Sequence, residues 1–199
     1  MRRKGNFFKG IFVTAILTAT ACIAAAQAPA PAGEPSFDVT LHLVVGSDEA
    51  GKSDLPSELS AASKQMRSHF GFANYHLAST FFGRIANGGS FEYRSANSLT
   101  GQPVSGEMRT FLEWSLGDFR TVPTVGGGQG VQGRAFRFGA KVPVVVAGGK
   151  DSTQIQYEAI GVNVGRFVVA QNVPTLIGTL NLPGTSGTVF LVMTVRSAD

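Results

Sequence analysis

The chain has 199 residues, of which 43% are hydrophobic and 15% are charged, with 25 glycines and one cysteine. This composition excludes wholesale disorder and a collagen-like chain. A single cysteine excludes an intramolecular disulfide and any zinc or iron–sulfur site built on several cysteines. Four of the 17 basic residues lie in the first nine positions, which hold no acid, so the remaining 13 basic residues balance the 13 acidic ones. The net charge of +4 therefore belongs to the N-terminal segment, and we predict no nucleic-acid partner.

The first 26 residues have the parts of a secretory signal peptide. A basic segment at residues 1–9 precedes an apolar run at residues 11–21, which is shorter than the ~20 residues of a membrane span. The small residues Ala24 and Ala26 predict cleavage after Ala26. Two alternatives stay open: an uncleaved anchor, and a lipoprotein acylated at Cys22. We expect an exported protein, periplasmic or extracellular, that contacts a membrane only in those two cases.

The rest of the chain is predicted to be a spacer followed by one β-rich domain. Residues 27–36 are rich in proline and alanine, which is typical of a semi-rigid spacer. The globular domain is assigned to residues 37–199, within which residues 37–95 can form a sub-lobe.

The domain opens with a strand, a helix and a second strand. Residues 37–45 alternate between apolar and polar side chains, with the period of two that strands show. Residues 55–70 carry apolar side chains at helical spacing, and this is the one convincing helix after the signal peptide. We expect Asp54 to cap the helix and Gly71 to end it.

Everything after Gly71 is predicted to be β structure. Residues 74–81 alternate, and the turn Asn87-Gly88-Gly89 is expected to join them in a hairpin to residues 91–94. Residues 189–195 are apolar on both faces, which indicates a central strand covered on both sides. Further strands are predicted at residues 108–116, 136–138, 142–146, 155–164, 166–170, 175–180 and 188–196. Of these, the first is predicted to place Met108, Leu112, Trp114 and Leu116 on one face.

The pattern predicts an α+β fold that is mostly antiparallel β. Short strands separated by turns favour a sandwich- or barrel-like body. One amphipathic helix belongs to an N-terminal strand–helix–strand unit.

The sharpest motif is a phosphate-binding pattern between the first strand and the helix. Residues 46–53 match G-x-x-x-x-G-K-[ST], with Lys52 as the motif lysine. We nevertheless predict no nucleotide there, because Asp48 and Glu49 put negative charge into a loop that would wrap phosphate. Pro56 also delays the helix, whose N–H groups would have to point at the phosphate. We interpret the segment as a polar surface loop.

Two other patterns are weaker. Residues 128–133 fit G-x-G-x-x-G, but they lead into a strand and not a helix, so we interpret residues 126–133 as a flexible link. His42 and His76 are predicted on the polar faces of neighbouring strands, and His69 in the last helical turn. We assign no metal site to these three histidines.

Four carboxylates are candidates for a glycosidase-type acid pair. We interpret them as solvated or paired with Arg94, Arg109 or Arg120, and we assign no catalytic, cofactor-binding or metal-binding residue and no cofactor. The four are Glu92, Glu107, Glu113 and Asp118.

Two segments resemble parts of the outer-membrane secretin family. Residues 165–178 followed by residues 189–196 are similar to paired strands of the secretin core, although Gly178 stands alone where the family has a double glycine, and the family's gate segment is missing. The strand at 37–45, the helix at 55–70 and the strand at 75–81 are similar to the opening of the family's periplasmic ring domains. The resemblance implies a small exported accessory-type protein that pairs β structure with envelope partners, and not a channel.

We expect an exported, non-catalytic cell-envelope protein that acts through contacts with an envelope protein partner. One alternative is a binding module for an apolar or glycan ligand, and a less favoured one is a hydrolase. A long unpaired strand edge with a flat apolar patch would favour protein contacts. Exposed aromatic residues around one cleft would favour ligand binding, and two carboxylates about 5–9 Å apart would favour hydrolysis.

Overall fold

The computed structural model describes residues 34–51, 53–97, 109–124, 128–147, 153–183 and 187–198. The predicted signal peptide and most of the spacer lie outside these ranges. So do Lys52, Glu107 and Met108.

Eight strands and one α-helix follow one another along the described chain. The helix α1 covers Ser60–His69 and is preceded by a single 3-10 turn at Ser57–Leu59. The strands are β1 at Ser36–Ser47, β2 at Asn74–Ala86, β3 at Phe91–Asn97, β4 at Thr110–Pro123, β5 at Gln129–Ala147, β6 at Thr153–Ala170, β7 at Thr175–Asn181 and β8 at Thr188–Ala198.

The strands form two four-stranded sheets. Sheet A has the order β2-β1-β8-β7 and sheet B the order β3-β4-β5-β6. Every strand pair is antiparallel. The predicted α+β fold class, mostly antiparallel with one helix in an N-terminal strand–helix–strand unit, is confirmed. The body is a sandwich and not a closed barrel, because each sheet keeps its own two edges.

The main core lies between the inner faces of the two sheets. Alternate side chains of each strand point into it, as the period of two requires. Leu112, Trp114 and Leu116 are buried together there, as predicted for β4. The largest buried side chains of this core also include Phe37, Leu41, Leu43, Phe119, Phe136 and Phe138.

The strand β8 is buried on both faces. Residues 189–195 are all buried, and β8 lies between β1 and β7, so the prediction of a central, doubly covered strand is confirmed. Leu191 and Met193 face the main core, whereas Phe190 and Val192 face a second apolar cluster. That cluster includes Met66 and other side chains of the helical segment, so α1 covers the outer face of sheet A.

The ends of the helix differ from the prediction. Asp54 does not cap it: α1 begins at Ser60, and the backbone N–H of Asp54 instead donates to the Tyr75 carbonyl at 3.1 Å. Gly71 is not a left-handed stop either. The C-cap is Phe70, which is extended at φ −126°. The segment before the helix pairs with β2, so the chain enters the helix later than its apolar spacing indicates.

The predicted hairpin between β2 and β3 is wrong. A turn does occur at Asn87 and Gly88, with Gly88 at φ +75°, but β2 belongs to sheet A and β3 to sheet B. The N–H groups of the turn donate to the carbonyls of Pro35 (2.9 Å) and Phe119 (2.7 Å). These bonds hold the turn against both sheets, so it carries the chain across the sandwich.

The interpretation of residues 126–133 as a flexible link is wrong from Gln129 onward. The strand β5 begins there and pairs with both β4 and β6. Gly133 lies opposite Phe167, whose ring occupies the space a side chain would need. The glycine is therefore explained by an aromatic ring packed on its strand.

Candidate functional site

The outer face of sheet B carries an open groove of about 1120 Å³. The strands β4, β5 and β6 form the floor of the groove, and β3 forms one border. The outward-facing side chains that line it are Arg94, Phe111, Glu113, Ser115, Arg137, Lys141, Tyr157 and Asn163.

Two glycines form the floor of the groove. Gly139 of β5 pairs directly with Gly161 of β6, and both residues line the groove. Because neither has a side chain, the surface between the neighbouring side chains is a flat strip of backbone. The sequence has larger residues at the outward positions on both sides, so this strip is the lowest part of the surface.

An aromatic pair stands at one end of the floor. The ring centroids of Phe111 and Tyr157 are 5.7 Å apart with an interplanar angle of 50°. The two rings meet diagonally across β5, because Phe111 pairs with Lys141 and Tyr157 pairs with Pro143. Phe111 is 46% exposed and Tyr157 is 41% exposed, so both present ring surface to solvent.

A polar row stands at the other end. Ser115, Arg137 and Asn163 are successive cross-strand partners on β4, β5 and β6. They place a hydroxyl, a guanidinium and a carboxamide side by side on the groove face. Such a row offers both donors and acceptors to a ligand.

The carboxylates at the border of the groove are already paired. Arg94 contacts Glu92 at 2.6 Å and Glu113 at 3.5 Å. By contrast, Arg137 and Lys141 form no ion pair with any residue that the structure describes. The groove therefore has excess positive charge.

The carboxylate candidates that the structure describes are paired with arginines. Asp118 contacts Arg120 and, at 3.3 Å, Arg134. Glu92 and Glu113 share one guanidinium, so neither faces the groove as a lone acid opposite a second one. Glu107 lies outside the described residues. Nothing in this arrangement sets one carboxylate as an acid and another as a base across a cleft.

His42 and His76 lie on the neighbouring strands β1 and β2 but are not cross-strand partners. His42 pairs with Thr80 across the β1–β2 ladder, and its Nδ1 lies 3.1 Å from the Thr80 hydroxyl. His42 is only 3% exposed, and this burial lowers its pKa, while nearby Glu58 opposes the shift. His76 pairs instead with Val45.

The hydroxyl, imidazole and carboxylate of Thr80, His42 and Glu58 form a row that superficially matches a catalytic triad. The His42 Nε2 is 4.0 Å from the Glu58 carboxylate, which is beyond hydrogen-bond distance. Glu58 also contacts Arg196 at 3.8 Å. The carboxylate therefore does not orient the imidazole as a triad requires.

The histidine set likewise shows no metal centre. His69 lies in the last turn of α1, as predicted, with its Nδ1 2.9 Å from the Gln65 carbonyl. In the described ranges, no group of three or more His, Cys, Asp or Glu side chains is placed to hold a metal ion.

The segment with the phosphate-binding pattern is tied to its own neighbours. The Asp48 carboxylate accepts a hydrogen bond from the Ala73 N–H at 3.0 Å. The Ser53 hydroxyl accepts from Arg67 at 2.8 Å and from the Tyr75 N–H at 3.1 Å. These bonds fix the loop to α1 and β2, which supports its interpretation as a surface loop.

The groove was not anticipated, although the sequence carries a signal for it. In β4, Phe111 is out of phase with the buried Leu112, Trp114 and Leu116, and therefore falls on the polar face. In β6, Tyr157 alternates in phase with the outward-facing Gly161 and Asn163. Aromatic residues at outward positions of two strands were the available clue.

Comparisons of the chain with protein-family models, with curated proteins and with solved structures found no match. Among the described residues, no helix is both long enough and apolar enough to span a membrane.

Proposed function

We propose that the protein is an exported, non-catalytic binding module whose ligand lies in the groove of sheet B. The observation that carries the proposal is the exposed pair of Phe111 and Tyr157 beside the flat floor of Gly139 and Gly161. Export rests on the predicted signal peptide.

The aromatic pair has no role in the core of the sandwich. Phe111 and Tyr157 point away from the main core, and neither belongs to either buried cluster. Exposed aromatic surface beside a concave polar surface is typical of ligand sites. The groove volume of about 1120 Å³ lies just above the ~300–1,000 Å³ that small-molecule sites occupy, so an extended ligand fits it.

A second candidate function is contact with another protein through strand addition. Among the strands that the structure describes, the 18-residue strand β6 pairs with β5 alone, and it exposes Ile155 and Val168. A long edge of this kind can accept a further strand. The expectation of an envelope partner, and the resemblance to secretin segments, would be met by such a contact. Replacing Val168 with proline should abolish partner capture if this edge is used.

The test of the groove is a ligand screen read by NMR on the full chain labelled with nitrogen-15. The library contains neutral and acidic oligosaccharides and short peptides. We expect at least one member to shift the amide signals of residues around Gly139 and Gly161. Gly139→Phe should abolish the shifts, because a Cβ at Gly139 meets no atom closer than 4.0 Å and a ring there would fill the groove.

The matched control is Gly71→Phe. A Cβ at Gly71 also meets open space, but the residue lies beside α1 on the sheet A side. This variant should bind as the parent chain does. A library that leaves the groove signals unchanged, or shifts that persist in Gly139→Phe, would contradict the proposed function.

A further inference from the structure

We propose that the ligand of the groove is an anionic oligosaccharide, a sugar chain that carries carboxylate or sulfate groups. The inference rests on the proposed function and names the class of ligand. Three features of the groove carry it: its charge, the hydrogen bonding of its floor, and its aromatic end.

The charge of the groove calls for an acidic ligand. Arg137 and Lys141 lie on the same face of β5, on either side of Gly139, and neither has an ionic partner in the described part of the chain. They are four positions apart along the strand, so they are roughly 13 Å apart. The acid at this border, Glu113, already contacts Arg94. Two separated cations fit a ligand with acidic groups on more than one unit.

The hydrogen bonding of the floor favours a sugar over a peptide strand. An extended peptide binds a sheet by adding to an edge, where backbone N–H and C=O groups are unpaired. The floor is made by β4, β5 and β6, and β5 is paired on both sides. Polar recognition must therefore come from side chains. The row of Ser115, Arg137 and Asn163 offers the donors and acceptors that sugar hydroxyls require.

The aromatic end suits the apolar face of a sugar ring. Aromatic rings carry a negative face, which attracts the weakly positive C–H groups of a pyranose. Phe111 and Tyr157 present such faces at the end of the groove nearer Lys141. A sugar chain laid along β5 can thus contact the rings, the glycine floor and the polar row together.

The experiment measures binding of the purified full chain to immobilised oligosaccharides. The probes are oligogalacturonates, the same oligomers as methyl esters, sulfated oligosaccharides and neutral oligosaccharides, with acidic peptides alongside. We expect retention on the carboxylated or the sulfated probes, and little on the methyl esters. Comparing these two acidic sets distinguishes carboxylate from sulfate as the recognised group.

Charge variants locate the contact. Arg137→Gln and Lys141→Gln should each weaken binding about tenfold, since each removes a charge-assisted hydrogen bond. Lys64→Gln makes the same change in charge on the exposed side of α1 and should leave binding unchanged. Raising the salt from about 50 mM to about 500 mM should weaken binding, because the cations are exposed.

Several results would overturn the inference and leave the groove as a binding site. One is retention on neutral sugars equal to that on acidic sugars, with no effect of Arg137→Gln. Another is retention of acidic peptides but of no sugar. The third is a loss of binding in Lys64→Gln equal to that in the groove variants. Retention of no probe, together with no change in the groove signals by NMR, would overturn both this inference and the proposed function.

Discussion

Gly139 and Gly161 face each other across the β5–β6 ladder, but only Gly161 is required by the packing of the backbone. A Cβ on Gly161 would lie 2.5 Å from the Phe138 carbonyl oxygen, whereas a Cβ on Gly139 would have its nearest neighbour, the Glu113 carbonyl oxygen, at 4.0 Å. Gly161 therefore allows strand β5 to approach β6 closely. Gly139 leaves space above the sheet.

This difference predicts that the same substitution has a small effect on stability at Gly139 and a larger one at Gly161. Gly139→Ala should change the free energy of unfolding by less than about 1 kcal/mol, since the methyl group fits without displacement. Gly161→Ala should destabilise the protein by about 1–3 kcal/mol, because a backbone oxygen must move. Urea unfolding followed by far-ultraviolet circular dichroism measures both. Equal losses in the two variants would show that the floor is not built as described.

The environment of Trp114 predicts that its replacement by phenylalanine costs unusually little stability. Its side chain is fully buried, and its indole N–H has no hydrogen-bond partner in the described structure. Trp114→Phe removes this unsatisfied donor, which offsets part of the lost apolar contact, so we expect a cost of about 1 kcal/mol. Trp114→Ala should cost about 3–5 kcal/mol through the cavity it leaves. Similar costs in both variants, measured by urea unfolding, would contradict this account.

His42 predicts a dependence of stability on pH. Burial lowers its pKa below the ordinary value of 6.5, assisted by Arg196 and opposed by Glu58. As the pH falls below about 6.5, the unfolded chain takes up a proton at His42 that the folded chain does not. The unfolded state then binds more protons, so the free energy of unfolding decreases, and the loss is complete below the folded pKa. Above 6.5 His42 is neutral in both states and contributes no slope.

Urea unfolding midpoints between about pH 8 and about pH 5 measure this loss. The variant His42→Gln keeps a polar group beside Thr80 but cannot titrate, so its midpoints should fall less over the same range. The variant His69→Gln is the control, because His69 is exposed. An unchanged slope in His42→Gln would refute the assignment.

The loop with the phosphate-binding pattern predicts a structural and not a nucleotide-dependent phenotype. Ser53→Ala should destabilise the protein by about 1–2 kcal/mol, since the hydroxyl accepts two hydrogen bonds, one of them from a backbone N–H that would be left unpaired. Lys52→Ala should leave stability almost unchanged. Neither ATP nor ATP with magnesium should raise the melting temperature of the parent chain. A nucleotide-dependent rise in melting temperature that is absent in Lys52→Ala would contradict the surface-loop interpretation.

Local patterns predicted where most of the strands lie, although the two strands predicted within β5 and the two within β6 are each one continuous strand. The alternation around Trp114 and the doubly apolar run at residues 189–195 depend on which faces are buried, and burial of that kind leaves a clear period in the sequence. Which strands pair with each other was harder to predict. Asn87-Gly88-Gly89 marks a reversal of the chain, but a turn does not say whether the next strand remains in the same sheet.

The candidate site depends on information that no single segment contains. His42 looks exposed in the alternation of its own strand and becomes buried because the helical segment covers that face. The groove requires Phe111, Gly139 and Tyr157 to come together from three strands. That arrangement is set by the register of β4, β5 and β6, including the irregularities between Ser115 and Arg120. Register of this kind follows from tertiary packing and not from local propensity.

The pairing of β1 with β8 has a consequence for how the protein is made. Leu43 of β1 pairs with Leu191 of β8. The centre of sheet A therefore cannot form until β8, the last of the eight strands, has left the ribosome. Contacts between such distant segments form slowly, because a long loop must close first. During synthesis the apolar face of β1 stays without its native cover. A chain built in this way remains unfolded for longer during translation than one whose paired strands are neighbours in the sequence.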